Sequence, residues 1–414
     1  MSSYPTTYAE AQKHSYEYWN KKPVKQLDCK SNKTGYMNSE SVHKKPYTND
    51  TPIQLNKLEW KNVDVHNNEE LVKVTEFINR YYGSDTGVKF KLHFDAEFIK
   101  WALQPFDHEL LTLNYGNHII GTVSYTLKNM VIDNIVDRVG DVNFLCVHPK
   151  YRKANAANQQ NKQYMVHSLI DEISRRINKK ECRIGIFATN KYVPTPTTVI
   201  RTFHRPLNYM KLFRNKFTLV PGDTERVHKR FLDNVKPLDA YQEATKSHIP
   251  KILELYNEFI NYCNISVKYT EEELEHMLFG PCVKTYVILG AAGVVDFVSY
   301  YLKKQKSIET HEIINTAQLF LYSCNREDVN VMVANTIRLA IRDVNPDMFN
   351  ATDICKNSEF LLSNKFMPNE DSDQEDYDKM YDHKFMKGVG KMYLNLFNFA
   401  TSQIHASQVF WISP

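Results

Sequence analysis

A chain of 414 residues with a formal net charge of +4 is too long for one ordinary core, and it lacks the concentrated basic stripe that nucleic-acid binding needs. Two domains, or a fused pair of similar halves, are expected. Seven cysteines, at 29, 146, 182, 263, 282, 324 and 355, form no CxxC pair; this excludes a zinc ribbon or dithiol motif and points to reduced thiols in the cytoplasm.

The opening Met1-Ser-Ser-Tyr-Pro5 has no charged-then-apolar signal layout. Tyr8 to Trp19 reads as a helical, aromatic arm closed by Asn20-Lys-Lys-Pro-Val24, and residues 25–56 as a polar connector. Residues 1–56 thus precede a first half, 57–235. There the spacing of Leu71, Val74, Phe77 and Ile78 predicts a helix over 69–80. A loop, Tyr81 to Gly87, leads to Phe90 and Phe94, and a core helix covers 98–103. Strands follow at 110–113 and 119–127. Val142 to Val147 reads as a buried strand that breaks at Pro149 into a polar stretch, before a helix running from about Lys162 to Arg176.

A second half, 236–414, starts near Leu238, with Ser247 and Thr270 as candidate helix N-caps. The most apolar run, Thr285 to Leu302, is broken by Asp296 and Gly290-Ala-Ala-Gly293, so it reads as a hairpin and no integral membrane segment is expected. The acidic stretch Asn369 to Asp378, inside an insertion over 367–383, lacks the central glycine of a calcium loop and reads as solvated. Gly388-Val-Gly390 precedes an aromatic strand from Tyr393 to Phe399, and Val409, Trp411 and Ile412 make an apolar tail.

The block Asn143-Phe-Leu-Cys-Val-His148 closely resembles the most recognisable stretch of the eukaryotic N-myristoyltransferase family. Tyr16-x-Tyr-Trp19 with Pro23-Val24, Pro194-x-Pro196, Arg201-x-Phe-His-Arg205 and Phe349-Asn-Ala-Thr-Asp353 extend that resemblance over nearly the whole chain. It implies an α/β fold of two fused acetyltransferase-like (GNAT) halves, arranged with pseudo-twofold symmetry around a mixed sheet. It also implies a monomer that moves myristate from myristoyl-CoA to the N-terminal glycine of peptides and proteins, needing no metal or separate cofactor.

By the same resemblance Glu17, Tyr18 and Trp19 contact the acyl-CoA, together with Phe144, Leu145, Cys146 and Val147. Arg152, Lys153 and Lys162 supply charge for its phosphates, although Lys153 to Asn161 looks inserted at that point. The backbone N–H groups of Phe144 and Leu145 form the oxyanion hole, Asn143 orders tail or substrate, and the α-carboxylate of Pro414 is the base. Cys146 is expected to be a small buried residue rather than a nucleophile. Tyr82, Phe90, Phe94, Ala188, Thr189 and His204 fall at the peptide site. The chain departs from the family at Asn190 and Thr202, where a Gly and a Tyr are usual, and keeps only Asp85 of an acidic loop. Two further readings stand beside transfer: a degenerate relative that binds acyl-CoA or peptide without transferring, and a non-enzymatic interaction protein on the same fold.

Overall fold

In a computed structural model of the chain, residues 4–27, 29, 33–38, 51–55, 57–83, 89–152, 165–217, 238–291, 293–368 and 390–412 are described. The first half begins with a short strand, Glu59–Asn62, and helix α1 (Asn68–Tyr81). The Asn67 side chain accepts from Glu69 and Glu70 N–H at the N-terminus of α1, and Leu71, Val74, Phe77 and Ile78 form its buried face. A short strand, Phe90–His93, separates α1 from α2 (Ala96–Leu103). Then β1 (Asp107–Tyr115), β2 (His118–Ile132) and β3 (Ile135–Val147) make an antiparallel meander. Its second hairpin turns on Asp133 and Asn134 at φ +50° and +68°, the left-handed pair that a two-residue loop requires and that Asp and Asn tolerate best. Helix α3 (Met165–Lys179) crosses over to β4 (Ile184–Thr189), which runs parallel to β3, and β5 (Thr198–Pro206) follows.

The second half repeats this order. It runs through a strand at Tyr241–Glu243, α4 (Ile249–Phe259), a short strand Ile265–Val267 and α5 (Glu271–Leu278). The meander β6 (Val283–Gly290), β7 (Gly293–Ser307) and β8 (Ile313–Ser323) comes next, then α6 (Val329–Asp343), β9 (Met348–Thr352) parallel to β8, and β10 (Lys391–Phe397).

The halves exchange equivalent pieces. Phe90–His93 pairs with β7 of the second half, and Ile265–Val267 with β2 of the first. The last strands also cross over: β10 lies between β4 and β5, and β5 between β10 and β9. One mixed sheet therefore runs β3-β4-β10-β5-β9-β8-β7-β6, with a pseudo-twofold relation between its ends. The main core draws on both halves, from Ile78, Trp101 and Phe144 to Phe297, Phe349 and Trp411, while a smaller cluster of Leu111, Val123, Leu169 and Ile173 fills the space under α3.

Two local expectations change and a third holds. The helix read over 8–19 is only Tyr8–Ala11, and a 3₁₀ turn at Trp19–Lys21 follows; between them the chain bends so that Tyr16 and Trp19 both reach the core. Ser247 is not a helix cap, because Thr245 and His248 form the capping box of a 3₁₀ turn leading into α4. Thr270 does cap α5, accepting from Glu273 N–H while Glu273 accepts from Thr270. The insertion at 153–161, all but the first two residues of that at 367–383, Asp85 and the Gly388 turn lie outside the described residues, while Met367–Pro368 pairs with β5. Among the described residues no helix is long and apolar enough to cross a membrane.

Candidate functional site

The pairing of β3 with β4 ends at Asp141 opposite Ile186, and beyond that point the two strands part. The parting point is fastened from below. Lys128 Nζ lies 2.7 Å from Asp141 Oδ2, both side chains being almost fully buried, and Asn143 Nδ2 donates to Asp141 Oδ1 at 3.0 Å. Past it, Phe144 has φ +51°, and the β2–β3 register slips so that Phe144 and Leu145 together stand opposite Val123. A non-glycine residue in the left-handed region is strained, and a bulge redirects backbone N–H groups away from the ladder.

The second half has a matching break. The β8–β9 pairing ends at Gln318 opposite Asn350, and Phe320 and Leu321 together face Ser299 of β7. There Leu321 N–H donates to the Ser299 hydroxyl at 3.0 Å, and that hydroxyl donates to Leu321 C=O at 2.7 Å. Valine at the equivalent position 123 offers no such acceptor. One bulge is thus closed by a side-chain hydroxyl, and at the other the facing side chain has no polar atom to do so.

The arm stands at the first break. The Trp19 ring stacks on Phe187, the first residue of β4 beyond the parting point, with centroids 5.8 Å apart. Tyr18 stacks on His167 of α3 at 3.7 Å, and its hydroxyl donates to Asp171, which also pairs with Lys22 at 2.6 Å. Burial foremost holds the His167 imidazole down at about 4, and it pushes the Tyr18 phenol well above its usual range, with the Asp171 hydrogen bond adding to the rise. Glu17 is exposed beside them. At the far end of β3, Arg152 donates to Val147 C=O at 2.8 Å and to Tyr81 C=O at 2.5 Å, tying β3 to the end of α1. Burial raises the Cys146 thiol to about 12, so it stays protonated at neutral pH. Lys153 and Lys162 lie outside the described residues.

The residues expected at the peptide site fall into two groups. Phe94 meets Phe144 edge-on at 5.4 Å and Tyr82 at 6.1 Å, which links Tyr82, just past α1, to the bulge. Phe90 instead meets Phe217 at 5.2 Å, and Phe217 meets the His204 ring at 5.3 Å. Ala188 and Thr189 lie on β4 opposite Leu394 and Tyr393 of β10.

The sequence reading passed over a polar row beside His204. Tyr301, Gln318, Asn350 and His204 are direct partners across β7, β8, β9 and β5, so their side chains share one face. Asn350 Oδ1 lies 2.8 Å from His204 Nδ1, and Lys303 Nζ donates to Gln318 Oε1 at 2.8 Å. Burial holds His204 at about 4 and lowers Lys303 to about 8. The available signal was a lysine continuing the inward alternation of Ser299 and Tyr301, although Lys303-Lys304 reads naturally as a strand leaving the core. At the chain's end, Val409–Phe410 pairs with Ile265–Val267, and Trp411 is 2% exposed. Pro414 lies outside the described residues.

Two exchanged halves, each with a parting pair of parallel strands, define an α/β protein of two acetyltransferase-like halves. Residues 37–200 match the N-terminal domain, and 222–377 the C-terminal domain, of myristoyl-CoA:protein N-myristoyltransferase. The chain belongs to this family. It is 25% identical over 389 residues to the glycylpeptide N-tetradecanoyltransferase of Eremothecium gossypii, covering 85% of this chain and 83% of that one. To glycylpeptide N-tetradecanoyltransferase 2 of Bos taurus it is 26% identical over 372 residues, covering 86% and 72%. A similar solved structure is that of Saccharomyces cerevisiae N-myristoyltransferase with bound myristoyl-CoA, with a TM-score of 0.80 at 22% identity, covering 96% of this chain and 99% of that one.

Proposed function

We propose that this chain transfers a myristoyl group from myristoyl-CoA to the α-amine of an N-terminal glycine. The observation that carries the reading is the bulge at Phe144 and Leu145, opposite the apolar Val123 and set where β3 leaves β4. In this reading the thioester carbonyl lies in the break, with its oxygen toward those two N–H groups. Each donor aimed at the developing oxyanion lowers the barrier by about 3 kcal/mol. Tyr18 and Trp19 cover the acyl-CoA from the β4 side, with Glu17 at the rim, and Arg152, Lys153 and Lys162 supply charge for the phosphates.

The glycine amine has an intrinsic pKa of about 8, so a carboxylate near neutrality has only to draw off one proton. That base is the α-carboxylate of Pro414, three residues along the chain from the buried Trp411. The amine then forms the C–N bond, the C–S bond breaks, and CoA leaves as its thiol after taking up a proton. Cys146, protonated and buried, takes no covalent part. Tyr82 and Phe94 flank the glycine, and His204, Phe90, Ala188 and Thr189 line the groove for the residues after it.

The test is transfer of labelled myristate to a peptide beginning Gly-x-x-x-Ser, by the intact chain and by one lacking Ser413 and Pro414. Transfer by the intact chain, falling at least about a hundredfold on truncation while myristoyl-CoA binding persists, is the expected result. Tight acyl-CoA binding without transfer by the intact chain would replace this reading with the degenerate relative. Loss of acyl-CoA binding altogether would favour the interaction protein.

A further inference from the structure

Lys303 stands on the face of β7 that carries Ser299 and Tyr301, one step along from the row that ends at His204. Its ammonium has three donors, and Gln318 Oε1 accepts one of them. Among the described residues no carboxylate pairs with it, whereas its neighbour Lys304, on the other face, pairs with Asp95 at 2.6 Å. The groups around it are donors in excess. Asn350 is fully buried and its Nδ2 has no partner; Thr316, directly across from Lys303 on β8, is also fully buried with its hydroxyl unpartnered. Unpaired buried donors are costly, and a cation beside them is costlier still unless an acceptor arrives. The patch adjoins His204 on one side, and on the other Tyr301, which packs on Phe98 at 6.1 Å; Phe98 in turn packs on Phe94 at 5.6 Å. It therefore lies between residues assigned above to the acceptor peptide, His204 on one side and Phe94 on the other.

We propose that Lys303, with Asn350 and Thr316, forms an anion subsite that selects acceptor peptides carrying an aspartate or glutamate side chain a few residues after the N-terminal glycine. The inference rests on the transfer reading for the location of the peptide. It agrees with the sparse acidic loop, in which Asp85 alone remains to attract basic residues. A carboxylate has two oxygens to accept from an ammonium, an amide and a hydroxyl at once, and such charge-assisted bonds in a desolvated groove are the strong ones.

The test is peptide binding to the full chain loaded with a thioether analogue of myristoyl-CoA, measured by calorimetry. Peptides begin with glycine and carry glutamate singly at each of the third to seventh positions, each compared with its glutamine counterpart. Glutamate is expected to bind about tenfold or more tighter than glutamine at one position. Lys303→Met is expected to bring that ratio to within about twofold, and Lys303→Arg to retain most of it; retained analogue binding by both variants reports that they are folded. Equal binding of the pairs at every position, a preference that survives Lys303→Met, or no peptide binding at all would overturn the subsite. Transfer assayed on the same peptides separates the two conclusions: a preference in binding without transfer overturns the reaction alone, and transfer without a preference overturns Lys303 alone.

Discussion

Lys128 and Asp141 hold the point where the central strands part, 2.7 Å apart and shielded from water, with the Phe106 ring 5.1 Å from the ammonium. Burying both charges costs about as much as their attraction returns, so the pair contributes position more than stability. Removing one partner is different. Lys128→Met leaves Asp141 charged and buried, and should lower the urea-unfolding free energy by about 3–5 kcal/mol, while adding Asp141→Asn should recover a large part. No recovery in the double variant would mean that Lys128 acts by packing alone. At this scale the sequence spoke unevenly. Phe144, Leu145, Cys146 and Val147 announce themselves as a contiguous word, because a strand keeps its neighbours in sequence. Lys128, Lys303, Gln318 and Asn350 do not, because their meaning lies in partners one or more strands away.

Among the elements, helices with strong apolar spacing fall where the pattern puts them: α1 at 68–81 against an expected 69–80, and α5 behind the Thr270 cap. The arm does not, since the docking of Tyr16 and Trp19 outweighs what one helical turn can contribute. How elements meet is equally specific. Trp101 of α2 donates its indole N–H to His276 C=O at 3.2 Å, and the His276 ring nitrogen lies 3.0 Å from Trp101 C=O, locking a first-half helix to a second-half one. Gly280 makes this fit possible, because a Cβ there would fall on the Trp101 indole. Gly280→Ala should therefore destabilise the protein by about 1–3 kcal/mol through overpacking, read as a shift in the urea midpoint at unchanged slope. A neutral result would show that α5 can slide without loss.

For the whole molecule, the exchange of four strands decides how it folds. Phe90–His93 and β5 complete sheets of the second half, and Ile265–Val267 and β10 complete sheets of the first. A half made alone would expose unpaired strand edges and one side of a shared core. Residues 57–235 and 236–414 expressed separately should show no dispersed amide spectrum, and the intact chain should unfold in a single transition. A folded isolated half would refute this interdependence.

Legible along the chain were the α/β class, most helices and strands, and the central word of the candidate site. The helices and strands rest on local periodicity and the central word on residues adjacent along one strand, whereas the α/β fold of two halves follows from the family resemblance which that word and its companion blocks carry. Only the tertiary structure decided that the halves trade strands, that one bulge is closed by Ser299 while its counterpart faces Val123, and that Lys303 stands beside His204. Strand pairing joins residues separated by many positions in the chain. No window along the sequence contains both partners, so the polar row across β7, β8, β9 and β5 exists only once the sheet has formed.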